Sequence, residues 1–400
     1  MRRYFAIVRV PGVARVLLSQ LVARFPFGML SIAFLVFAQR TYDSYAAAGA
    51  VLAAMSLGNA VAGPISARFI GVWGVRTVIL SAATLVSATI TVMVFVPMPV
   101  FVMAMLGCLA GAAYPPVQSA VRTLYPKMVD SQQLGALYSL DASAQEIIWI
   151  VGPVITTFIS IQISDVLGVM LSVAFFIGGG LWFVTSPAVA KVKIPRNSSR
   201  FGAVLRNPVV SLNTFIGLLF VASFASAEAS IIAIFGDTNS QSGFVLGAWA
   251  LGSLVGGLAL GHVGIAPWGL LWRIGITVVG LGLAFVSTDF WWLTAVLFLA
   301  GVGVAPSLAA LFSNVSASVR FSETPEAFGW LGTGQVIGAA AGSAVAGITI
   351  DYFGGSGALG VSLVFLILTI VSAAVAIPWM PDLRHGKLGP RTESVTTIAS

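Results

Sequence analysis

The chain has 400 residues, of which only 8% are charged and 58% hydrophobic; its net charge is +7, with one cysteine and two histidines. Soluble proteins carry roughly 25% charge, so this chain cannot cover the surface of two or three soluble domains. The lone Cys108 excludes a disulfide scaffold, His262 and His385 lie too far apart to suggest structural zinc, and basic residues scattered between apolar runs argue against nucleic-acid binding.

A membrane-crossing helix needs about 20 apolar residues. In chain order such stretches fall at 13–38, 45–67, 77–96, 99–121, 135–160, 165–187, 208–234, 243–262, 268–287, 290–313, 327–350 and 357–379, hereafter spans one to twelve. Continuous apolar runs of this length disfavour transmembrane strands, which alternate over about ten residues. The fold class is therefore all-α, a polytopic membrane protein. Met1-Arg2-Arg3-Tyr4 mimics the basic region of a secretory signal, but the apolar stretch behind it is too long and contains Arg24 and Pro26, so it reads as a retained first span. Pro26 lacks an N–H, which predicts a bent span one and a free carbonyl at Val22. The longest basic segment, 188–207, divides the chain into residues 1–187 and 208–380, each with six spans. Residues 381–400 are polar, with Gly386, Gly389 and Pro390, and are expected to be a disordered tail.

Charge predicts the orientation. With the N-terminus in the cytosol, Arg2, Arg3, Arg9, Arg15, Arg68, Arg76, Arg122, Lys127, Arg273, Arg320, the central basic segment and the tail all fall inside. Asp43, Asp165, Asp237, Asp289 and Asp351 fall outside, and Arg24 and Arg40 are the basic exceptions. Lys/Arg bias sets topology, so the expectation is a plasma-membrane protein with both termini cytoplasmic, its positive charge facing acidic lipid.

The halves resemble each other. Gly49-Ala50-Val51-Leu52 through Gly58, Val61 and Gly63 aligns with Gly243-Phe244-Val245-Leu246 through Gly252, Val255 and Gly257, and Gln145 and Gly152 are echoed by Gln335 and Gly342. Such repeats predict two pseudo-symmetric six-helix bundles, with a binding site near the bilayer midplane between them. Twelve spans, cytosolic ends, a basic central linker and a duplicated half resemble the major facilitator superfamily. Its signature after span two, roughly G-R-x-x-D-R-x-G-R-R, stands here as Ala67-Arg68-Phe69-Ile70-Gly71-Val72-Trp73-Gly74-Val75-Arg76. Arg68, Gly74 and Arg76 fit, and Gly71 and Val72 replace the acidic-basic pair. Gly152-Pro153 is similar to the core of a motif of drug/proton antiporters, and Arg24-Phe25-Pro26-Phe27-Gly28-Met29 with Gln145-Glu146 resembles an actinobacterial branch. The resemblance implies rocker-switch transport and a gating loop of Arg68, Gly74 and Arg76.

Ionisable side chains inside the hydrocarbon are costly and mark functional candidates. Arg24 and Glu146 each lie about eleven residues in from the cytosolic end of their spans, near mid-depth at 1.5 Å per residue, and opposite charges predict a buried pair, either a coupling element or a static lock. Asp141, nearer the cytosol, is expected to pair with Arg68 or Arg122 as a gate contact, or to carry a proton. Glu228, in the outer third of span seven with no cation nearby in its half, is a proton-coupling candidate or a carboxylate at the outer mouth. Gln118, Gln145, Gln335, Asn59, Asn213 and Asn314 are candidates for substrate binding or interhelical hydrogen bonding. Tyr114, Trp149 and Trp249 either line a cavity or face lipid. The glycine runs Gly252–Gly257 and Gly332–Gly342 read as packing surfaces. No cofactor, metal or nucleotide motif is present, and clustered catalytic groups are lacking, so an enzyme is not expected. The expectation is a monomeric secondary transporter of a small, amphipathic or hydrophobic molecule, exporting by proton exchange, with proton-symport uptake as the alternative; the partners are substrate, protons and lipid.

Overall fold

The computed structural model describes residues 2–236 and 240–384; Asp237, and the tail from His385 to Ser400 with Lys387 and Arg391, lie outside the described residues. No strand occurs among the described residues.

Fifteen α-helices follow in order: α1 (Arg2–Arg9), α2 (Val13–Arg24), α3 (Pro26–Tyr42), α4 (Tyr45–Phe95), α5 (Val100–Ala112), α6 (Val117–Met128), α7 (Ser131–Phe158), α8 (Asp165–Val184), α9 (Pro187–Lys191), α10 (Pro208–Phe235), α11 (Ser240–Leu260), α12 (Gly269–Leu283), α13 (Phe290–Val302), α14 (Val304–Ser318) and α15 (Thr324–Ala376). Nine helical runs among the described residues are long and apolar enough to cross a membrane. Two of them, α4 and α15, are broken at a glycine held in a backbone conformation closed to other residues: Gly74 (φ 81°, ψ 157°) and Gly354 (φ 70°, ψ −177°). Each is two crossings folded back on itself. Val51 and Met55 of the first leg of α4 share a cluster with Val86, Ile90 and Met93 of the second, which a straight 51-residue rod cannot achieve. In the same way α10 touches both legs of α15, since Ser226 donates to the Gly342 carbonyl at 2.9 Å and Ser362 to the Ser223 carbonyl at 2.7 Å. The shorter apolar α12 completes the twelve crossings.

Proline explains the broken spans. Span one is α2 plus α3, bent at Pro26. The Val22 carbonyl, predicted to be free, accepts the Phe25 N–H at 3.2 Å; the chain tightens by one residue and satisfies it. Span four is α5 plus α6, interrupted before Pro116, and span ten is α13 plus α14, interrupted before Pro306.

Glycine ridges repeat in the two halves. A Cβ at Gly58 would strike the Cys108 carbonyl, and one at Gly252 the Phe298 carbonyl; Gly111 lies against the Met55 carbonyl, and Gly301 against that of Trp249. Spans two and four thus touch as spans eight and ten do, in the register the sequence repeat predicts. The Gly334, Gly338 and Gly342 ridge rides on the carbonyls of Thr214, Leu218 and Ala222, bringing span eleven onto span seven, while Gly332 meets nothing. Only glycine permits this approach.

Candidate functional site

The molecule has a basic end, where Arg68 and Arg76 flank the turn at Gly74, and an opposite end with Asp43, Asp165 and Asp289. Arg40, the basic exception there, lies 3.8 Å from Asp165.

At the basic end the two halves are locked together. Arg68 at the foot of span two donates to Glu326 at the start of span eleven, 2.8 Å away. Glu326 is buried and also accepts from the Asn197 amide at 3.1 Å and the Gly202 N–H at 2.8 Å. Asn197 and Gly202 belong to the central basic segment, which lies across the junction: Arg68 also donates to the Ser199 carbonyl, and the Ser199 hydroxyl donates to Glu323 at 3.2 Å. Gly71 gives this strap room, because a Cβ there would stand 2.9 Å from the Pro195 carbonyl. The replacement of the signature's acidic residue by glycine therefore has a structural counterpart: linker backbone packs on that position. Gly74 reverses the chain and Arg76 is exposed beside it.

Above the strap, matched contacts join the halves. Ser139 donates to the Gly257 carbonyl at 2.8 Å, as does Tyr4 from α1. Across the pseudo-twofold, Gly329 packs on Pro64 and the Gly63 carbonyl, and Thr333 donates to the Ala60 carbonyl at 2.8 Å. Tyr138 meets Phe312 and Phe328, each with ring centroids 6.2 Å apart.

Next to this seal lies a buried polar cluster built from three i, i+4 pairs, Gln20/Arg24, Gln118/Arg122 and Asp141/Gln145, each on one face of its helix. Asp141 is fully buried at its centre. It accepts from Gln20 Nε2 at 3.0 Å, Arg24 Nη1 at 3.4 Å, Arg122 Nε at 3.1 Å and the Tyr125 hydroxyl at 3.1 Å. Arg24 also donates to Gln20 Oε1 at 2.8 Å and to Gln145 Oε1, and Arg122 reaches the same Gln145 oxygen at 3.5 Å. Turned to satisfy its neighbours, the Gln118 amide oxygen accepts from Arg122. Arg24 and Arg122 are 2% and 1% exposed, so the cluster buries two guanidiniums against one carboxylate.

Two expectations change here. Arg24 pairs with Asp141 rather than Glu146, because Asp141 and Gln145 share the helix face turned to span one. Arg122, counted among the cytosolic loop residues, lies inside the protein, because α6 continues span four to Met128. Asp141 does take Arg122, one of its two expected partners; Arg68, the other, goes to Glu326. Glu146 faces the opposite half and accepts the Ser253 hydroxyl at 2.8 Å from span eight. Glu228 is exposed on α10 and has no polar partner among the described residues.

The remaining candidates divide. Gln335 is half-buried, with no side-chain hydrogen bond among the described residues. The Tyr114 ring packs edge-on between Phe27 and Phe176, at 5.0 and 5.2 Å. Asn213 and Asn314 bond each other inside the C-terminal half, Trp149 is exposed, and Trp249 packs on Phe224. Gln20, Tyr125, Ser253, Phe312 and Glu326 were not anticipated. The spacing of Gln20 before Arg24, four residues, was the available signal for the first.

Twelve crossings in two matching sets, closed at one end around a charged cluster, define a polytopic membrane carrier. The family model of the Major Facilitator Superfamily matches residues 16–263 and again 210–397, and the chain belongs to that family of secondary transporters; it is not an enzyme. Among solved structures, it is similar to a bacterial homologue of the iron transporter ferroportin in an outward-facing state, with TM-score 0.75 and 14% identity over 91% of this chain and 99% of that one. It is also similar to the human organic anion transporter MFSD10 (TETRAN), with TM-score 0.74 and 14% identity over 92% and 99%. At such identity the likeness concerns the fold. No curated protein matches the chain.

Proposed function

We propose that the protein is a proton-coupled carrier of a small amphipathic molecule in the plasma membrane, with cytoplasmic termini, and that Glu146 is its proton site. One observation carries this reading: Glu146 is a mid-span carboxyl without a cationic partner among the described residues, and its hydrogen bond to Ser253 crosses between the halves that must separate in a rocking cycle. Proton binding there changes the very contact that holds the seam at mid-depth. The seal at the basic end supports a conformation open toward the opposite, extracellular side, from which a proton reaches Glu146. Glu228 is exposed on α10 and has no polar bond to the other half among the described residues.

Resemblance to drug/proton antiporters and to the actinobacterial branch supports export by proton exchange. A specific observation favours the second reading, uptake by proton symport: the cluster beside Glu146 holds two buried guanidiniums against one carboxylate, so a proton on Glu146 leaves a site that attracts rather than repels an anion. Proteoliposomes loaded with a pH-sensitive dye and challenged with a panel of amphipathic acids, amines and neutral compounds test both. Substrate-dependent lumenal acidification indicates symport and alkalinisation exchange. Glu146→Gln abolishes either signal while Glu228→Gln retains it; a persistent signal in Glu146→Gln overturns the assignment.

A further inference from the structure

The Gln145 side-chain oxygen stands where two guanidiniums converge, one from span one and one from span four. A guanidinium pair binds an anionic oxygen more strongly than a neutral amide oxygen, because opposite charge adds Coulomb attraction that a low-dielectric interior screens little. Asp141 already compensates one of the two charges through four donors. Both guanidiniums share that one carboxylate, which leaves one positive charge over, and their other acceptors among the described residues are neutral: Gln20, Gln145, Gln118 and the Phe312 ring face, 3.4 Å from the Arg122 guanidinium carbon. An uncompensated charge inside a membrane protein is expensive and is kept where a ligand or ion answers it.

We infer that Arg24 and Arg122 together bind the carboxylate of an amphipathic organic acid, which displaces the Gln145 amide oxygen from between them. This rests on the symport reading above. Access runs past Gln145 and Gln118, both only half-buried, and the apolar part of the acid has the Phe312 ring and the neighbouring aromatic side chains to pack on. The ionisable groups facing the site are Arg24 from span one, Arg122 and Tyr125 from span four, and Asp141 with the adjacent Glu146 from span five; the C-terminal half presents Phe312 and Ser253. One acid-binding position per molecule follows, because the equivalents of Arg24, Arg122 and Asp141 in the second half are Leu218, Phe312 and Leu331, which bear no charge.

The test is binding of three isosteric probes, 4-phenylbutyrate, 4-phenylbutanamide and 4-phenylbutylamine, to the purified full-length protein in nanodiscs, read by calorimetry and thermal stabilisation. The acid binds and the amide and amine bind at least tenfold more weakly. Arg122→Gln leaves one arginine against one aspartate, so the protein remains folded by its melting curve, while affinity for the acid falls at least tenfold; Arg122→Lys retains most of it. Gln145→Ala removes the competing oxygen and tightens the acid a few-fold. Preference for the amine, absence of acid binding at millimolar concentration, or unchanged acid affinity in folded Arg122→Gln overturns the inference. These outcomes are independent of the proton assay: loss of coupling in Glu146→Gln without acid binding removes only the acid site, and acid binding with coupling retained in Glu146→Gln removes only the proton assignment.

Discussion

Arg122 and Phe312 occupy equivalent places in the two halves and touch each other, guanidinium carbon to ring centroid 3.4 Å. Each lies eleven residues beyond a matched glycine, Gly111 and Gly301. Tyr138 and Phe328 repeat the arrangement one span on, with ring centroids 6.2 Å apart. The seal at the basic end is thus a self-contact of the repeat, in which the first half carries the charged member and the second the aromatic one. A cation on an aromatic face in a desolvated setting contributes about 2 kcal/mol, and the contact must break whenever the halves part at this end.

Among the described residues, Asp141→Asn removes the only carboxylate that meets both Arg24 and Arg122. The expected cost is about 3–5 kcal/mol, since breaking a buried pair strands the remaining charge. Melting in detergent measures it. Adding Arg122→Gln to Asp141→Asn recovers part of the loss, so the two effects fall short of additivity; strict additivity would mean the residues do not interact.

Opening of the basic end is expected to depend on Glu326. Glu326→Gln weakens its bonds to Arg68, Asn197 and Gly202 and is expected to shift the carrier toward the conformation open on that side. A cysteine at Ser139, fully buried in the seal, reports this in a Cys108→Ser background. Thiol labelling in inside-out vesicles rises several-fold with Glu326→Gln, and equal rates would deny Glu326 a gating role. Gly71→Asp, which intrudes on the Pro195 carbonyl, has the same direction.

The span seven–eleven ridge tolerates no side chain at Gly338, where a Cβ collides with the Leu218 carbonyl. Gly338→Ala is expected to destabilise by about 1–3 kcal/mol through overpacking. Gly347→Ala, on the same helix with nothing within 4 Å, is neutral or slightly stabilising because alanine is the better helix former. Equal melting temperatures for the two variants would remove the ridge from the account.

At Gly74 and Gly354 the space is open but the backbone is not. No atom lies within 4 Å of a Cβ built at either, yet φ is +81° and +70°. Alanine at each is expected to cost roughly 1–3 kcal/mol from backbone strain alone, read as a lowered melting temperature with transport retained.

The sequence by itself determined the number and order of the crossings, the gathering of basic residues at one end of them and the register of the repeat. These are properties of single segments: the length of an apolar run, the sign of the charge beside it, the recurrence of glycine at fixed spacing. Gly58/Gly252 and Gly152/Gly342 could be matched before any packing was known, and Arg24, Asp141, Gln145 and Gln118 could be named because polar groups in apolar runs are conspicuous. Their partners could not be named, because pairing depends on rotation about the helix axis as well as depth. At 3.6 residues per turn Glu146 points about 140° away from Asp141, so Arg24 meets Asp141 and Gln145 while Glu146 looks across the seam to Ser253. Glu326 and the strap of Asn197, Ser199 and Gly202 were equally out of reach: they come together across more than 120 residues of chain, and only the closing of one half on the other brings them within hydrogen-bond distance.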